Sequence, residues 1–340
     1  MSNLIDPTGP GLTAFVEERF LIPAFSSAQA PLWVAAHRAL SMPFQLQGPA
    51  QRYTATVDGQ QLKIVAIGRS KRFRPIFRQL FGEVEPVELT TTRTIWQPQW
   101  LDDLEADLIV AGVHRWVAQN FRDAGWLIVP HSVRWSGDAA QLPPQVPCHS
   151  LREDLRKMRR YRYVLDRVDG PAAWDEFYGT MLLPMALTRF GDAAWLPTRR
   201  FLKELATKGV LHFLSRDGER IGGAVTLRHG ETLWIPLIGV RDGDHQLLRQ
   251  GATAALFFKI FEWAREQGCR RVDSGRTSSF VKDGVYRNKE KWGLRPGRDS
   301  LAHLLAMRIG DAPALRRAFA SQPVLTESDT GLEVYPGEPA

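Results

Sequence analysis

Apolar and polar residues alternate along two short stretches in the first half of the chain. Residues 53–57 and 62–67 both follow this period of two, and Asp58-Gly59 lies between them. An Asp-Gly pair between alternating runs is a strong local signal for a β-hairpin. We therefore predict a hairpin near residue 60, preceded by proline-containing loops and short helices in residues 1–50.

Longer apolar runs further along the first half predict more deeply buried elements. Residues 107–113 predict a buried strand, residues 114–124 an amphipathic helix, and residues 126–135 another strand. Helices and strands in alternation are typical of an α/β layer.

A basic segment follows the hairpin. Residues 68–78 read GRSKRFRPIFR and hold five basic residues. In one interpretation Gly68 and Ser70 bring backbone N–H groups to a phosphate, with Arg69 and Arg72 as substrate contacts. In the other, the segment begins a helix with a solvated basic face.

Prolines and a glycine between residues 136 and 150 predict the connection between two domains. Ser150 and Glu153 have the spacing of a capping box, which predicts that a helix begins here. That helix is rich in arginine, so an RNA contact and a solvated face both stay open. A strand is expected at residues 162–168.

The remainder predicts a helical region followed by a meander. Residues 171–190 predict helices broken near Pro184. Asp217-Gly218 and His229-Gly230 separate three alternating runs, which predicts three consecutive antiparallel strands. Further helices are expected at residues 197–208, 247–267 and 312–319, further strands at 271–273 and 300–308, and a polar tail in the final twenty residues.

Composition narrows the class of protein. The chain has 340 residues, 44% of them hydrophobic, which suffices for two domains with proper cores. No apolar run approaches the ~20 residues of a membrane span, and the N-terminus lacks a secretory signal, so a cytoplasmic location is expected. The two cysteines have no metal-ligand spacing, so no metal is expected. A net charge of +7 favours an anionic partner.

Candidate chemistry concentrates in residues 268–293, GCRRVDSGRTSSFVKDGVYRNKEKWG. Small residues, cations and one carboxylate follow a predicted strand there. Loops at strand ends often carry chemistry on a rigid scaffold, which favours a functional site. An exposed basic loop with a surface helix is the competing interpretation.

The order of predicted elements from residue 150 onward resembles a GNAT-type acyltransferase domain. That fold places backbone amides at a helix N-terminus against the pyrophosphate of coenzyme A, where the helix dipole favours anions. The resemblance assigns this role to residues 242–251 and the helix start, with Arg249, Gln250, Gly251 and Ala252 as the donor-binding set. The family signature is incomplete, because Leu248 and Thr253 stand where it has other residues.

Three segments resemble the FemAB-like branch of this superfamily more specifically. They are Asp273-Ser274-Gly275-Arg276-Thr277, Gly284-Val285-Tyr286-Arg287-Asn288-Lys289 and Lys291-Trp292-Gly293. The branch implies two tandem GNAT-like halves with mixed, largely antiparallel sheets. The expected organisation is therefore a degenerate half in residues 1–145, an acyltransferase domain in residues 150–308, and a short helix and tail in residues 309–340.

The resemblance also implies roles for single residues. Acyl transfer to an amine needs a base and an oxyanion stabiliser at one place. The resemblance suggests Lys289 as the stabiliser. The candidates for the other roles are Asp273 as base or orienter, Tyr286 as proton donor, and Arg276 with Thr277 as substrate contacts. Structural roles stay open for these residues, since ion pairs and packing are common alternatives. We assign no catalytic role to the histidines at positions 212, 229 and 245.

Two classes of function therefore compete. The first is an acyltransferase with acyl-CoA or aminoacyl-tRNA as co-substrate and a small-molecule or peptide amine as acceptor. The second is a non-catalytic protein of the same fold that binds nucleic acid or a nucleotide-linked ligand. The oligomeric state, and any contribution of the first half to the site, stay open.

Overall fold

The computed structural model describes residues 46–336 apart from 69, 192, 193 and 195, together with residues 32, 35, 36 and 39 of the preceding segment. The strands within this part form a six-stranded sheet, a seven-stranded sheet and a small hairpin. They are, in chain order, β1 (Gln47–Val57), β2 (Gln60–Ile67), β3 (Glu85–Thr94), β4 (Leu108–Val113), β5 (Leu127–Pro130), β6 (Val133–Asp138), β7 (Val164–Arg167), β8 (Val210–Arg216), β9 (Glu219–His229), β10 (Thr232–Val240), β11 (Arg271–Thr277), β12 (Arg295–Gly297), β13 (Leu304–Ile309), β14 (Val324–Glu327) and β15 (Leu332–Tyr335).

The helices pack against the two large sheets. Among the described residues, none has the length and apolar content to span a bilayer. They are α1 (Ser70–Phe81), α2 (Ala118–Asp123), α3 (His149–Tyr161), α4 (Pro171–Glu176), α5 (Leu183–Phe190), α6 (Arg199–Lys208), α7 (His245–Arg249), α8 (Ala252–Glu266), α9 (Gly284–Lys291) and α10 (Pro313–Ser321).

The first sheet has the strand order β3-β1-β2-β4-β13-β5. The predicted hairpin is confirmed: β1 and β2 pair antiparallel, with φ of 50° at Asp58 and 78° at Gly59 in the turn. Strand β4 is buried along its whole length, as predicted, and runs parallel to β2. Strand β3 was not predicted, because its central threonines and charged residues show no apolar alternation.

The second sheet has the order β12-β6-β11-β10-β9-β8-β7. The predicted meander of β8, β9 and β10 is confirmed, with both neighbouring pairs antiparallel. Strands β10 and β11 run parallel, so the connection between them crosses the sheet through α7 and α8.

The two sheets exchange strands. Strand β13 pairs with both β4 and β5 in the first sheet, although it follows the second sheet in sequence. Strand β6 pairs with both β11 and β12 in the second sheet, although it precedes that sheet. In both sheets, a parallel pair (β2–β4 or β10–β11) is followed by a strand from the other half (β13 or β6). A strand of the sheet's own half (β5 or β12) then forms the edge. Two tandem halves with mixed sheets, as the resemblance implies, are confirmed in this repeated topology.

The exchange also corrects the prediction of one strand over residues 126–135. This segment forms β5 and β6, which lie in different sheets. The chain leaves the first sheet after Pro130 and enters the second at Val133. Each predicted domain thus contributes one strand to the other sheet, which hydrophobic periodicity along a single segment does not reveal.

Helices cover both faces of the second sheet. Helices α8 and α3 lie on one face, with Phe257 and Phe261 packed on Trp292 after α9. The segment α4–α5 crosses the other face, where Phe177 and Trp234 share a buried cluster. It passes so close that a Cβ on Gly239 would lie 2.7 Å from the backbone nitrogen of Leu182. Only glycine permits this approach.

Several predicted helix boundaries are wrong. Residues 171–190 are continuous, because a π-helix at Phe177–Leu182 joins α4 to α5 and Pro184 falls in the first turn of α5. Cys148, rather than Ser150, is the N-cap residue of α3, and Glu153 pairs with Arg156 at 2.8 Å.

Two further predictions also change. The long helix expected at residues 247–267 is split into α7 and α8, because Gly251 takes a φ of 92° between them. The expected C-terminal tail contains the β14–β15 hairpin, whose Leu325 N–H donates to the carbonyl of Ser279 at 2.8 Å.

Candidate active site

The parallel ladder between β10 and β11 is short. It contains three residue pairs and ends at Trp234 and Asp273. Beyond this point β10 continues beside β9, while β11 continues beside β6. We call residues 234–237 and 273–276, where the two strands part, the strand fork.

A β-bulge lies in β11 at the fork. Asp273 pairs with Ser136 and Arg276 pairs with Arg134, so two residues of β11 stand opposite the single residue Trp135 of β6. Gly275 within the bulge has a φ of 77°. Bulges often lie next to active sites, where they redirect side chains and end strand pairing.

Asp273 lies at the start of this bulge and is only 7% exposed. One carboxylate oxygen accepts a hydrogen bond from Gly275 N–H at 2.8 Å, and the other is bonded by the Nε of Arg134. The Arg134 guanidinium stands 5.5 Å from the ring centre of Trp234. Burial lowers the pKa of Arg134, and the charge of Asp273 opposes that shift. This geometry favours the orienting role of Asp273 over the role of base.

The side chain of Lys289 binds backbone carbonyl groups of the bulge. Its Nζ donates to the carbonyl oxygens of Ser274 at 2.7 Å and Arg276 at 3.0 Å. These carbonyls belong to the segment of β11 that has lost the ladder with β10. Since a buried carbonyl without a partner is costly, the ammonium replaces the missing strand neighbour.

The environment of Lys289 changes its acidity. The residue is 4% exposed, and burial lowers the pKa of its ammonium to about 7 despite the opposing charges of Asp273 and Asp283. The two predicted partners, Asp273 and Lys289, therefore lie at one place in the fold. However, Lys289 contacts the strand backbone, whereas Asp273 contacts Arg134.

Tyr286 and Thr277 pack behind the bulge. The Tyr286 ring meets Trp135 edge-on with centroids 4.6 Å apart, and Trp135 Nε1 donates to Thr277 Oγ1 at 2.8 Å. Burial raises the pKa of the Tyr286 hydroxyl, and the charge of Glu290 adds to the effect. These contacts join α9, the helix of Lys289, to β6, and β6 to β11.

Arg276 connects the fork to the first half of the molecule through Asp299. It pairs with the fully buried Asp299, with Nη2 at 3.2 Å from Oδ1, and the same oxygen accepts from Leu301 N–H at 3.0 Å. Arg115 from the first half donates to the carbonyl of Asp299 at 3.0 Å and pairs with Glu327 in β14. The first half therefore reaches the fork through Arg115 and, more directly, through Arg134 of β6.

The residues predicted to hold the donor lie elsewhere, at the start of α8. Gly251 and Ala252 are buried, and the stem of Lys157 in α3 lies against Gly251. Tyr163 donates to the carbonyl of Gln250 at 3.0 Å, while Arg216 binds the Gln250 side chain. The lysine stem, the tyrosine and the arginine therefore all lie beside this turn. Arg249 is exposed beside it.

The other candidates from the sequence lie outside the fork. Arg69 and the side chain of Arg72 fall outside the described residues, whereas Arg74 and Arg78 are exposed on α1, as expected for a solvated basic face. His212 is buried and bonds Thr226 at 2.8 Å. Burial lowers its pKa to about 4, so it is neutral at pH 7.

Sequence reasoning missed Arg134, Trp234 and Asp299. The signal for Arg134 was an arginine between two apolar residues, Val133 and Trp135, inside a predicted strand. That pattern indicates that the arginine side chain projects from the face of the strand opposite to the two apolar residues. It does not indicate which residues the arginine contacts. In the part of the chain that the structure describes, no cluster of three or more His, Cys, Asp or Glu residues could hold a metal ion.

Comparison with known proteins adds an independent observation. Residues 149–287 match the family model described as an acetyltransferase (GNAT) domain. A sequence comparison with curated proteins gave no match.

Solved structures are similar only at low identity. L-PGS from Bacillus licheniformis is 15% identical with a TM-score of 0.42, and covers 90% of this chain and 95% of its own. The C-terminal domain of a putative lysylphosphatidylglycerol synthetase from Agrobacterium fabrum is 15% identical with a TM-score of 0.41, covering 91% and 96%. FemX is 12% identical with a TM-score of 0.41, covering 85% and 94%.

The matched segment contains both strands of the fork and the first half of α9, and it ends before Lys289. Its sheet has a meander, a crossover helix and a parallel strand whose pairing with the meander is short. The family model thus matches the same part of the chain whose element order resembles a GNAT-type domain.

Proposed function

We propose that this chain is an N-acyltransferase that moves an acyl or aminoacyl group from an activated donor to an amine at the strand fork. The observation that carries the proposal is the bulge in β11, held on one side by Asp273 and through its carbonyls by Lys289. Hydrogen bonds that fix the backbone at the end of a parallel ladder suit a site whose groups must be precisely positioned. The GNAT match of residues 149–287 supports the reaction class.

The reaction requires a balanced set of charges. The amine nitrogen attacks the acyl carbonyl carbon and forms a C–N bond, and the bond to the leaving sulfur or ribose oxygen breaks. The proton that the amine loses is passed to this sulfur or oxygen, which leaves as a thiol or a hydroxyl. Negative charge collects on the carbonyl oxygen in the transition state, where a preorganised donor is worth about 2.7–4 kcal/mol. We place this stabilisation at the bulge of β11, whose backbone Asp273 and Lys289 hold in position. Lys289 acts as a positioning residue, because its ammonium is bonded to the strand carbonyls.

Aminoacyl-tRNA is the donor that the charge distribution favours. Helix α3 and the residue after it expose five arginines, Arg152, Arg156, Arg159, Arg160 and Arg162. The two acids of α3 are paired, Asp154 with Lys291 and Glu153 with Arg156. An extended arginine face suits a phosphate backbone better than a single pyrophosphate. Acyl-CoA stays the alternative donor, although α3 covers the start of α8.

Salt titration separates these donors. We expect tRNA binding to weaken steeply with salt, and the combined Arg159→Gln and Arg160→Gln variant to reduce the slope by about 1 for each phosphate that is no longer neutralised. The matched control is Arg316→Gln with Arg317→Gln on α10, which removes two exposed arginines and leaves the slope unchanged. Saturable binding of acyl-CoA without tRNA binding would assign the donor to coenzyme A.

Turnover tests the proposed reaction itself. Purified protein is incubated with charged tRNA or acyl-CoA and a panel of amines, and acylated product is measured by mass spectrometry. We expect a product whose rate of formation falls about 100-fold in Asp273→Asn. Loss of the carboxylate releases the bulge that positions the oxyanion donor, and loss of one such donor costs about 10²–10³ in rate. Unchanged turnover in both Asp273→Asn and Lys289→Ala would show that the reaction occurs elsewhere.

A non-catalytic binding protein is the second candidate. The observation that favours it is the incomplete family signature at the start of α8, where Leu248 and Thr253 stand in place of the expected residues. Thermal-shift screening with tRNA, nucleotide sugars and CoA esters tests it, because a ligand at 100 times its Kd stabilises by about 2.7 kcal/mol. Stabilisation by nucleic acid without product from any amine would favour this second function.

A further inference from the structure

Two arginines stand directly opposite each other beside the fork. Arg134 of β6 and Arg276 of β11 are Cα partners in the antiparallel pairing of these strands. Residues paired in this way project from the same face of the sheet. That face is the one on which α4–α5 pack, since Trp234 beneath Arg134 belongs to their buried cluster.

Such a pair is unfavourable unless other charges compensate it, because like charges directly opposite repel. Each arginine has its own carboxylate, Asp273 for Arg134 and Asp299 for Arg276. The charge of Arg276 still acts on Arg134 and contributes to the lowering of its pKa. Both guanidiniums are partly covered, with side chains 13% and 28% exposed. Repulsion between them is therefore screened less than at an open surface.

Other charged groups also lie near the pair. Lys289 adds a third positive charge close enough to act on Arg134 and to be acted on by Asp273. Asp283 also acts on Lys289, but its carboxylate accepts from the N–H groups of Val285 and Tyr286 at the start of α9. Asp273 and Asp299 balance the charges of the two arginines, and Lys289, whose pKa is about 7, adds a partial positive charge at pH 7.

The first sheet provides an internal comparison. Arg308 of the exchanged strand β13 stands 5.5 Å from the ring centre of Trp126 and pairs with Asp102 at 3.1 Å, much as Arg134 does with Trp234 and Asp273. Its partner across the strands is Ile109. The stacked and paired arginine therefore occurs in both halves, whereas the opposing second arginine occurs only beside the fork.

We propose that Arg134 and Arg276 together bind an oxyanion of the acceptor, a carboxylate or a phosphate, beside the amine that is acylated. This rests on the proposed function and adds the chemical class of the acceptor to it. Planar guanidiniums suit both oxyanions, because their N–H donors match two oxygens at once. An anion between the arginines removes their repulsion and places the acceptor next to Asp273.

Calorimetric titration tests the site without any need for turnover. The probes are alanyl-alanine, its C-terminal amide and glycerol 3-phosphate, at pH 7 and low ionic strength. A carboxylate acceptor predicts that alanyl-alanine binds and the amide does not, whereas a phosphate acceptor predicts that glycerol 3-phosphate binds. In either case Arg134→Lys and Arg276→Lys weaken binding about tenfold or more, because a lysine cannot make the two-point contact.

Arg308→Lys is the matched control, since it changes a stacked and paired arginine in the other sheet. Its affinity for the probe should equal that of the unaltered protein. If the variants fail to fold, a modification experiment on the unaltered chain replaces them. It measures whether the bound probe protects Arg134 and Arg276 from reaction with phenylglyoxal. The proposal is overturned if neither oxyanion binds. It is also overturned if substitution of the two arginines leaves the affinity unchanged, or if the bound probe does not protect them. Intact binding without acyl transfer would overturn the proposed reaction and leave this site standing.

Discussion

At the scale of single residues, Lys289 combines a structural bond with an unusual acidity. Burial lowers the pKa of its ammonium from 10.5 to about 7 in the folded protein. Between these two values the unfolded chain binds the proton more strongly, so folding releases it. The free energy of unfolding should therefore rise with pH from about 7 to 10.5, by about 1.4 kcal/mol for each unit of pKa difference. Below pH 7 both states are protonated and this dependence disappears.

Lys289→Met should remove this pH dependence and, at neutral pH, destabilise the protein by about 1–3 kcal/mol for each carbonyl left without a partner. Urea unfolding at several pH values between 6 and 10 measures both effects. Lys259→Met is the matched control, because Lys259 lies on α8, is partly exposed and pairs with Glu262 at 3.1 Å. An equal rise of stability with pH in Lys289→Met and in the unaltered protein would contradict this account.

The same residue shows what the sequence could predict of the site. The resemblance implied that Asp273 and Lys289 act at one place, and both side chains lie at the bulge of β11. The partners of each side chain could not be predicted, since a bulge in β11 and a strand from the first half determine them. Tyr286, considered as a proton donor, packs on Trp135 instead, and the choice between packing and chemistry depends on a tertiary contact.

At the scale of elements, the fork depends on the conformation of β11. Gly275 has a φ of 77°, which other residues adopt only at a cost of about 1–2 kcal/mol. A Cβ there would lie 3.6 Å from the carbonyl oxygen of Ile235, an ordinary contact, so the backbone conformation and not a clash requires glycine. Substitution should therefore alter the bulge without blocking the fork.

Gly275→Ala should lower both stability and acyl transfer. The matched control is Gly268→Ala, because Gly268 has a similar φ of 68° in open space after α8. We expect both variants to lose about 1 kcal/mol or slightly more in urea unfolding, and only Gly275→Ala to lose activity. Equal activity in the two variants would separate the bulge from the reaction.

Sequence patterns predicted most elements near the fork, and their errors have common physical causes. The meander was predictable because its turns are marked by Asp217-Gly218 and His229-Gly230. The break between α7 and α8 was missed because a single glycine inside an apolar pattern is also tolerated within a helix. The π-helix before Pro184 was missed because it preserves the helical pattern while changing only the backbone bonding.

At the scale of the whole molecule, the exchange of β6 and β13 joins the two sheets into one unit. The backbone N–H of His131, at the entry to β6, donates to the carbonyl of His303 beside β13 at 2.8 Å. Ion pairs far apart in sequence add to this link, among them Arg115 with Glu327. Neither sheet can lose its exchanged strand without losing pairing on both sides of that position.

This arrangement predicts that the two halves unfold together. Leu305 is fully buried in β13, so Leu305→Ala should cost about 2–5 kcal/mol. Hydrogen exchange should then accelerate in β11 of the second sheet as much as in β4 of the first, because both lose protection through the same global opening. Leu187→Ala on α5 is the control, since that side chain is 49% exposed and its loss should leave both rates unchanged. If β4 lost protection while β11 kept it, the fork would belong to an independently stable half, and strand β6 alone would connect the first half to the site.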